Sequence, residues 1–458
     1  MKKKFSTEID LFLAKSLKYR TNFDVVRRQI KIKRKNAVVY YLTSLISDVS
    51  VSSLMEGIES ATTIKEINSS ILNGNVYKET DFNKIYFEVV NGVAALIIDS
   101  LDEVLLIDVR YYQTRSVGEP TNEQSIRGAK DGFVESLNIN VGLIRRRIKS
   151  PSLTINNYII SKYSKTYVSL IYLDDIVDLR IVKLLKERLS SINIESLIMS
   201  DRALEEILFD QKFHPFPLVR YTERPDVASI SLIKGKCLIL VDNSSSVLIM
   251  PSILKDHTYN VEEFRVIPIV GTMTRLLRNI SIFGSVFIMP LWLSLVSDDG
   301  YTHGISINLE GVKFNTVVIQ VLICEGIFEV LKMALIHTPN TLSGSIGLIA
   351  AVILSQVALD LGLFIPEIIL LCAISTILQF ATPSYELSLT NKFVKVLFII
   401  LVALFKKAGF IFGITGLFIY LTSIKVFNIP YLYPLCPLDI KKALNLFKRS
   451  SASNKTKL

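Results

Sequence analysis

The pattern of apolar and polar positions divides this chain of 458 residues into two halves. Before Arg278, short apolar runs alternate with charged and turn residues, whereas 280–424 contains long stretches with few or no charges. Runs such as 38–42 and 104–109 have the composition of buried strands, and 174–189 has the apolar spacing of an amphipathic helix. We therefore predict an α/β soluble N-terminal region followed by an α-helical polytopic membrane domain.

The soluble region is expected to contain two small α/β subdomains. Residues 1–35 are basic and partly helical in pattern but show no core pattern of their own, which predicts a mobile lead-in. Turn residues and charges separate the two subdomains and predict a connector between them. The predicted divisions of this region are the lead-in at 1–35, a first subdomain at 36–115, a charged connector at 116–163 and a second subdomain at 164–278.

Local patterns predict further elements in both subdomains. Helical spacing is present at 50–57 and 62–72 in the first. In the second, the apolar runs 227–233 and 236–241 predict a β-hairpin around Gly235. The two subdomains share no self-similarity at a fixed period, so the sequence does not predict an internal repeat.

Apolar segments in the second half are long enough to cross a bilayer. Residues 279–296 span about 27 Å at about 1.5 Å per residue, close to the ~30 Å of the hydrocarbon core. Further crossings are predicted at 343–364 and 365–381. A lysine pair at 406–407 interrupts the apolar stretch 393–424, and we interpret it as a tight connection between two short spans.

Basic residues are in excess, with 52 Lys and Arg against 42 Asp and Glu. No aromatic or glycine-rich surface accompanies them, so we do not predict a nucleic acid partner. Basic segments beside apolar spans are typical of the cytoplasmic face of a membrane. The N-terminal region and a basic tail at 425–458 both favour the cytoplasm. This gives an even number of crossings, and we predict four to six within a membrane domain at 279–424.

The sequence offers no catalytic signature. It has no phosphate-binding glycine loop ahead of a helix and no Gly-x-Ser-x-Gly elbow. The four cysteines and the four histidines have no spacing typical of a metal site. We therefore expect no enzyme activity, no cofactor and no bound metal.

The connector is unusually dense in charged and turn residues. Glycines permit backbone conformations with positive φ, and its carboxylates lie within reach of its arginines, so it could fold into an ion-paired connector. The alternative is a solvated linker. The residues that define the connector pattern are Arg115, Glu119, Pro120, Glu123, Arg127, Gly128, Gly132, Phe133, Glu135, Asn140, Arg145 and Arg146.

These residues closely resemble the signature of the A subunits of the GerA family, the spore germinant receptors of endospore-forming bacteria. A second block, Thr222-Glu223-Arg224-Pro225, is similar to the family's Thr-Glu-Arg-Pro element. A third, Pro430-Tyr431-Leu432, is similar to its C-terminal Pro-Tyr element. The three blocks follow the family's order between about 111 and 437. Two family elements of the membrane half are altered in this chain, at 290–292 and 332–339.

The resemblance implies a subunit of a three-component receptor in the spore inner membrane, with its N-terminal region on the cytoplasmic, spore core side. The implied partners are a transporter-like B subunit that binds the nutrient and a lipoprotein C subunit. The family's A subunits are thought to form a homo-oligomeric ring that acts as an ion channel for cations. The implied role is signal transduction from nutrient to ion release.

One apolar segment of the membrane half, 317–337, carries charges. Glu325, Glu329 and Lys332 are four and three residues apart, so they share one face of a helix. A charge at membrane depth costs several kcal/mol, so such a face turns toward protein, water or the interface. We predict a possible ion path along this face. An interfacial helix with an internal Glu-to-Lys pair is an equally good interpretation.

Three functions are consistent with these observations. The first is a receptor subunit that converts germinant binding on a partner into release of monovalent cations. The second is a family relative that amplifies ion or dipicolinate release without sensing a nutrient. The third is a non-conducting membrane scaffold. The sequence does not identify the germinant.

Overall fold

A computed structural model describes residues 2–32, 35–46, 49, 51–52, 55–56, 76–99, 101–110, 120, 123, 128–209, 214–297, 313–337, 356–357 and 359–448. The chain forms two compact units. The first, here called the soluble unit, comprises Met1–Phe213 and Val219–Pro251. The second, the helical unit, comprises His214–Leu218 and Ser252–Leu458.

The first sheet of the soluble unit has five strands in the order β1-β2-β4-β5-β3, and every neighbouring pair is antiparallel. Its side chains alternate between two apolar clusters, since Val39 faces one cluster and Tyr40 the other. Two helices pack on the face that holds Tyr40. The elements are α1 (Lys2–Ser16), β1 (Val25–Ile32), β2 (Lys35–Leu42), β3 (Val76–Glu79), α2 (Phe82–Val90), β4 (Ala94–Ile98) and β5 (Val104–Ile107).

The predicted mobile lead-in is instead part of this fold. In α1, Ile9, Leu13 and Leu17 are buried in the first core, and β1 pairs with β2 along its whole length. Apolar residues four positions apart form one helical face, a pattern that the short run at 9–14 concealed. The predicted boundary at 36 therefore lies inside the first sheet.

The second sheet repeats the topology of the first. Its five strands are ordered β6-β7-β9-β10-β8, so a strand pair is again followed by an outer strand, a helix and two inner strands. The sequence alone did not reveal this repeat. The elements are α3 (Leu137–Arg145), β6 (Leu153–Ile160), β7 (Thr166–Leu173), α4 (Leu179–Ser191), α5 (Ser200–Phe209), β8 (Arg220–Thr222), α6 (Pro225–Ile233), β9 (Cys237–Val241) and β10 (Val247–Met250).

Two predictions for this subdomain are wrong in detail. The expected hairpin around Gly235 is the helix α6 followed by β9, because Pro225 occupies the first helical turn and Gly235, with φ of +79°, ends the helix. The strand β6 belongs to the second sheet, although it lies within the predicted connector. The helix predicted at 50–57 falls half outside the described residues, and the one predicted at 62–72 falls wholly outside them.

The helical unit is built around the long helix α8. Met289 and Leu293 of this helix share an apolar core with Val321, Cys372 and Val402 from three other helices. The elements are α7 (Leu254–Thr258), α8 (Pro268–Val296), α9 (Phe314–His337), α10 (Pro366–Phe380), α11 (Tyr385–Ser423), β11 (Lys425–Val426), β12 (Ile429–Pro430) and α12 (Ile440–Phe447).

Two of these helices, α8 and α11, are long and apolar enough to cross a membrane, and α10 is apolar but shorter. The helix α8 starts at Pro268, before the predicted start of the first crossing at 279. Its polar first turns continue the same helix, because Pro268 fits the N1 position and Arg275 is held by Glu263. The predicted crossing at 343–364 lies mostly outside the described residues.

The helix α11 folds back on itself at the lysine pair that interrupts its apolar sequence. Lys406 has the non-helical angles φ 55° and ψ −135°. A Cβ at Gly409 would lie 2.0 Å from the carbonyl oxygen of Leu401, and a Cβ at Gly413 would lie 2.8 Å from the ring of Phe398. Such contacts across eight and fifteen positions of sequence require two antiparallel arms. Glycine is needed at both positions because the arms lie too close for a side chain.

Candidate functional site

The helical unit contains two ion pairs between α9 and the first arm of α11. Lys395 donates to Glu325 with 2.7 Å between Nζ and Oε2, and Lys392 pairs with Glu329. Glu325 and Lys395 are 5% and 1% exposed. The glutamates are four residues apart and the lysines three, so each pair of like charges lies on one face of its helix.

The inner pair continues into a network that reaches four helices. Lys395 also donates to the hydroxyl of Ser375 on α10 at 3.1 Å, and Ser375 donates to the carbonyl oxygen of Ser285 on α8 at 3.0 Å. Oε1 of Glu325 is buried, and no described residue donates to it. The network therefore places one carboxylate oxygen with unused acceptor capacity inside an apolar bundle.

A row of buried polar side chains leads away from this network. Ser388, Asn391 and Lys395 lie three and four residues apart on α11 and are all buried. On α10, Ser375 and Gln379 are four apart, and Gln379 donates to the carbonyl oxygen of Ser388 at 3.0 Å. Buried polar residues among apolar helices are typical of ion and proton pathways.

The three charges predicted to share a face of α9 have different surroundings. Glu325 and Glu329 pair with lysines of α11, whereas the ammonium of Lys332 lies 5.6 Å from the ring centre of Phe380. The ion pair of Glu329 is thus made between helices rather than with Lys332. Lys392 and Lys395 were not among the residues predicted from the sequence. Their Lys-x-x-Lys spacing at the start of an apolar stretch was the available signal.

In the soluble unit, two motif blocks that are far apart in sequence come together. The carboxylate of Glu123 accepts hydrogen bonds from the hydroxyl of Thr222 and from the backbone N–H of Glu223. The buried Arg224 donates to the carbonyl oxygens of Glu123 and Ala129, both at 3.1 Å. It also binds both oxygens of Asp226. Pro225 starts α6 directly after this arginine.

The helix α3, inside the predicted connector, joins the two sheets. Arg145 is 2% exposed and binds both carboxylate oxygens of Asp24 at 2.7 Å, and Asp24 also accepts a hydrogen bond from Ser44. A Cβ at Gly142 would lie 2.2 Å from the carbonyl oxygen of Ser44, so the helix approaches the first subdomain closely. Buried contacts of this kind are not those of a solvated linker.

The other connector residues have individual roles in this packing. The side-chain amide of Asn140 accepts a hydrogen bond from the backbone N–H of Val134 and donates one to its carbonyl oxygen. Gly128 has φ of +99°, Phe133 is buried, and Glu135 and Arg146 are exposed. Gly132 and Pro120 are buried. The remaining members of the predicted set, Arg115, Glu119 and Arg127, lie outside the described residues.

The C-terminal Pro-Tyr element holds the short segment His214–Leu218 within the helical unit. The buried Tyr431 donates to the carbonyl oxygen of Pro217 at 3.0 Å, and Thr390 of α11 donates to that of Pro215. Burial raises the pKa of Tyr431 well above its ordinary value, so its hydroxyl remains a donor. This segment is a place where the chain leaves the soluble unit and returns to it.

A model of the Bacillus/Clostridium GerA spore germination protein family matches residues 13–457. The chain belongs to this family. Its membership agrees with the three motif blocks and, together with the two long apolar helices, indicates membrane association.

Several relatives match most of the length of this GerA family chain. Stage V sporulation protein AF of Bacillus subtilis (strain 168) is 37% identical over 94% of this chain and 90% of its own length. Spore germination protein KA of the same organism is 30% identical over 92% and 81%. Spore germination protein GerLA of Bacillus cereus is 31% identical over 80% and 75%.

One solved structure is also similar in sequence. It is the crystal structure of the N-terminal domain of the A subunit of the Bacillus megaterium spore germinant receptor GerK3. It is 27% identical and covers 54% of this chain and 93% of its own, with a TM-score of 0.40.

Proposed function

We propose that this chain is the A subunit of a nutrient-sensing spore germination receptor that releases monovalent cations when a partner subunit binds germinant. Its partners in this proposal are a transporter-like B subunit, a lipoprotein C subunit and further copies of itself. Its location is the spore inner membrane, with the soluble unit on the core side. Family membership supports the setting, and the paired charges between α9 and α11 carry the proposed activity.

The two lysines act as tethered cations in the closed state. Glu325 and Glu329 offer carboxylate oxygens, which are suitable ligands for a hard cation, but Lys395 and Lys392 occupy them. Separation of α9 from the first arm of α11 would expose the carboxylates to mobile cations. Germinant binding on the partner then acts by shifting the population toward this separated arrangement.

The free energy needed to separate the two Glu–Lys ion pairs determines how strongly the closed state is favoured. Removing one member of a buried ion pair typically costs about 3–5 kcal/mol, because the remaining charge is left without compensation. A cation that replaces the lysine restores that compensation. Opening therefore costs less free energy when cations enter and bind the carboxylates than when the carboxylates stay without a partner.

The helix lengths are compatible with the four to six crossings expected. The helix α8 has 29 residues and α9 has 24, which at about 1.5 Å per residue exceed the ~30 Å of a hydrocarbon core. The arms of α11 on either side of Lys406 give two further candidates. The 15 residues of α10 are shorter than a full crossing.

A second candidate function is amplification of ion or dipicolinate release without nutrient sensing. It is favoured by the 37% identity with a relative that is named for sporulation rather than for germination. The paired charges would serve the same ion path in this function. A non-conducting scaffold, in contrast, gives the buried pairs only a structural role.

The test is potassium release from spores after addition of germinant mixtures. We compare a strain lacking the gene, one carrying Glu325→Gln with Glu329→Gln, and one carrying Glu187→Gln, an exposed position of α4, as a matched control. The double variant is expected to alter the rate of release, and the control to leave it unchanged. Normal release in the deletion strain and the double variant would exclude the receptor function.

The pattern across germinants separates the candidates. A receptor subunit predicts that the deletion abolishes the response to particular germinants and leaves others intact. An amplifier predicts slower release with every germinant. A scaffold predicts a defect in the deletion strain but normal release in the double glutamine variant.

A further inference from the structure

The C-terminal helix α12 has an exposed apolar face. Ile440, Leu444 and Phe447 are 66%, 61% and 44% exposed, and their spacing places them on one side of the helix. Lys441 is exposed at the edge of this face, and Lys442 is exposed on the opposite side. Asp439 caps the helix by accepting a hydrogen bond from the backbone N–H of Lys442 at 3.1 Å.

The other end of α12 is fixed to α8. Asn279 donates to the carbonyl oxygen of Leu446, and Arg275 donates to that of Lys448, both at 3.2 Å. The last carbonyl oxygens of a helix have no hydrogen-bond donor within the helix. The side chains of Arg275 and Asn279 act as those donors here. Arg275 is itself held by buried Glu263 at 2.6 Å. The position of α12 along α8 is therefore well defined.

That position coincides with the start of the apolar part of α8. From Asn279 to the end of the helix at Val296 the distance is about 27 Å at about 1.5 Å per residue, close to the thickness of a hydrocarbon core. Leu277 and Ile280 beside the attachment point are exposed. If α8 crosses the bilayer, the attachment of α12 lies at the boundary between headgroups and acyl chains.

We propose that the apolar face of α12 inserts into the anionic leaflet of the bilayer that α8 crosses. Lysines beside an exposed apolar face match negatively charged headgroups above acyl chains. A second copy of this chain has a formal net charge of +10 and is therefore a poorer charge complement to these lysines than anionic lipid. The proposal rests on the membrane crossing of α8 within the proposed function and is independent of ion conduction.

The test uses depth-dependent quenching of tryptophan fluorescence in the full chain. Trp292 is the single tryptophan, so Trp292→Phe gives a background for Phe447→Trp, Leu444→Trp and the control Asn445→Trp, whose backbone position is about 100° or more around the helix from those of Ile440, Leu444 and Phe447. The proteins are reconstituted in phosphatidylcholine vesicles with about one third phosphatidylglycerol and with bromine near the top of the acyl chains. Quenching at positions 447 and 444 is expected to exceed that at 445 by about twofold.

Charge dependence provides the second measurement. Vesicles without phosphatidylglycerol, or the added changes Lys441→Gln and Lys442→Gln, are expected to reduce quenching at both apolar positions. Equal quenching at 447, 444 and 445 would overturn the proposal. So would a blue-shifted emission at 447 that is insensitive to brominated lipid, because it would place a second copy of the chain on this face.

Discussion

The buried pair Arg145–Asp24 of the soluble unit and the buried pair Lys395–Glu325 of the helical unit are built differently. In the soluble unit, Arg145 binds both oxygens of Asp24, which also accepts a hydrogen bond from Ser44. In the helical unit, Lys395 contacts one oxygen of Glu325, and no described residue donates to the other. A guanidinium pair is fixed in geometry, whereas an ammonium is a point charge that another cation can replace. The first is suited to holding subdomains together and the second to exchanging partners.

The largest effect is expected from breaking the arginine pair. Arg145→Met leaves Asp24 buried without its partner and should lower the free energy of unfolding of the soluble unit by about 3–5 kcal/mol. Pulse proteolysis of the full chain in detergent, along a urea series, measures this change. The control is Arg147→Met, because its pair with Asp131 is partly exposed and should be worth about 0–1 kcal/mol. Equal effects of the two changes would contradict the comparison.

Breaking the lysine pair should instead change ion retention. Lys395→Gln is expected to increase potassium leakage from dormant spores by about tenfold, which corresponds to about 1.4 kcal/mol in the closed-to-open equilibrium. Adding Glu325→Gln removes the carboxylate that Lys395→Gln leaves unpaired and should restore retention. Flame photometry of washed spores measures the potassium that remains. Leakage that stays normal in Lys395→Gln would show that the pair does not close the path.

Geometry rather than charge should matter at Arg224. Arg224→Lys keeps the charge but cannot reach the carbonyl oxygens of Glu123 and Ala129 together with both oxygens of Asp226. Loss of buried hydrogen bonds should lower the stability of the soluble unit by about 1–3 kcal/mol. The same proteolysis experiment measures it, with exposed Arg146→Lys as the matched control. A negligible effect would mean that the motif blocks are not held by this guanidinium.

The smallest effect concerns acid stability of the first subdomain. Burial alone would raise the pKa of Asp10, but hydrogen bonds from Arg27 and Tyr40 outweigh it and hold this pKa below its ordinary value. A lowered folded-state pKa gives stability that is present above the unfolded-state value and is lost as pH falls through the folded-state value. Arg27→Gln should therefore unfold at a higher pH than the parent chain, as measured by circular dichroism in acid. An unchanged acid midpoint would exclude this contribution.

The sequence by itself determined the layout of the protein and one half of its candidate site. Composition separated a soluble region from an apolar helical one, and the motif blocks identified the family. The helical spacing of Glu325 and Glu329 marked the acidic face of α9. Each of these features is local, because it depends on residues that lie within a few helical turns of one another or on composition alone.

Only the tertiary structure decided which side chains and segments pair with one another. Lys392 and Lys395 join the acidic face because α9 packs against α11, and periodicity within one helix does not indicate which neighbour it meets. For the same reason, α1 packs against the first sheet although its residues showed no clear apolar run. The shared strand order of the two sheets arises from pairings between distant segments. Contacts at long sequence separation follow from packing, and a local pattern does not encode them.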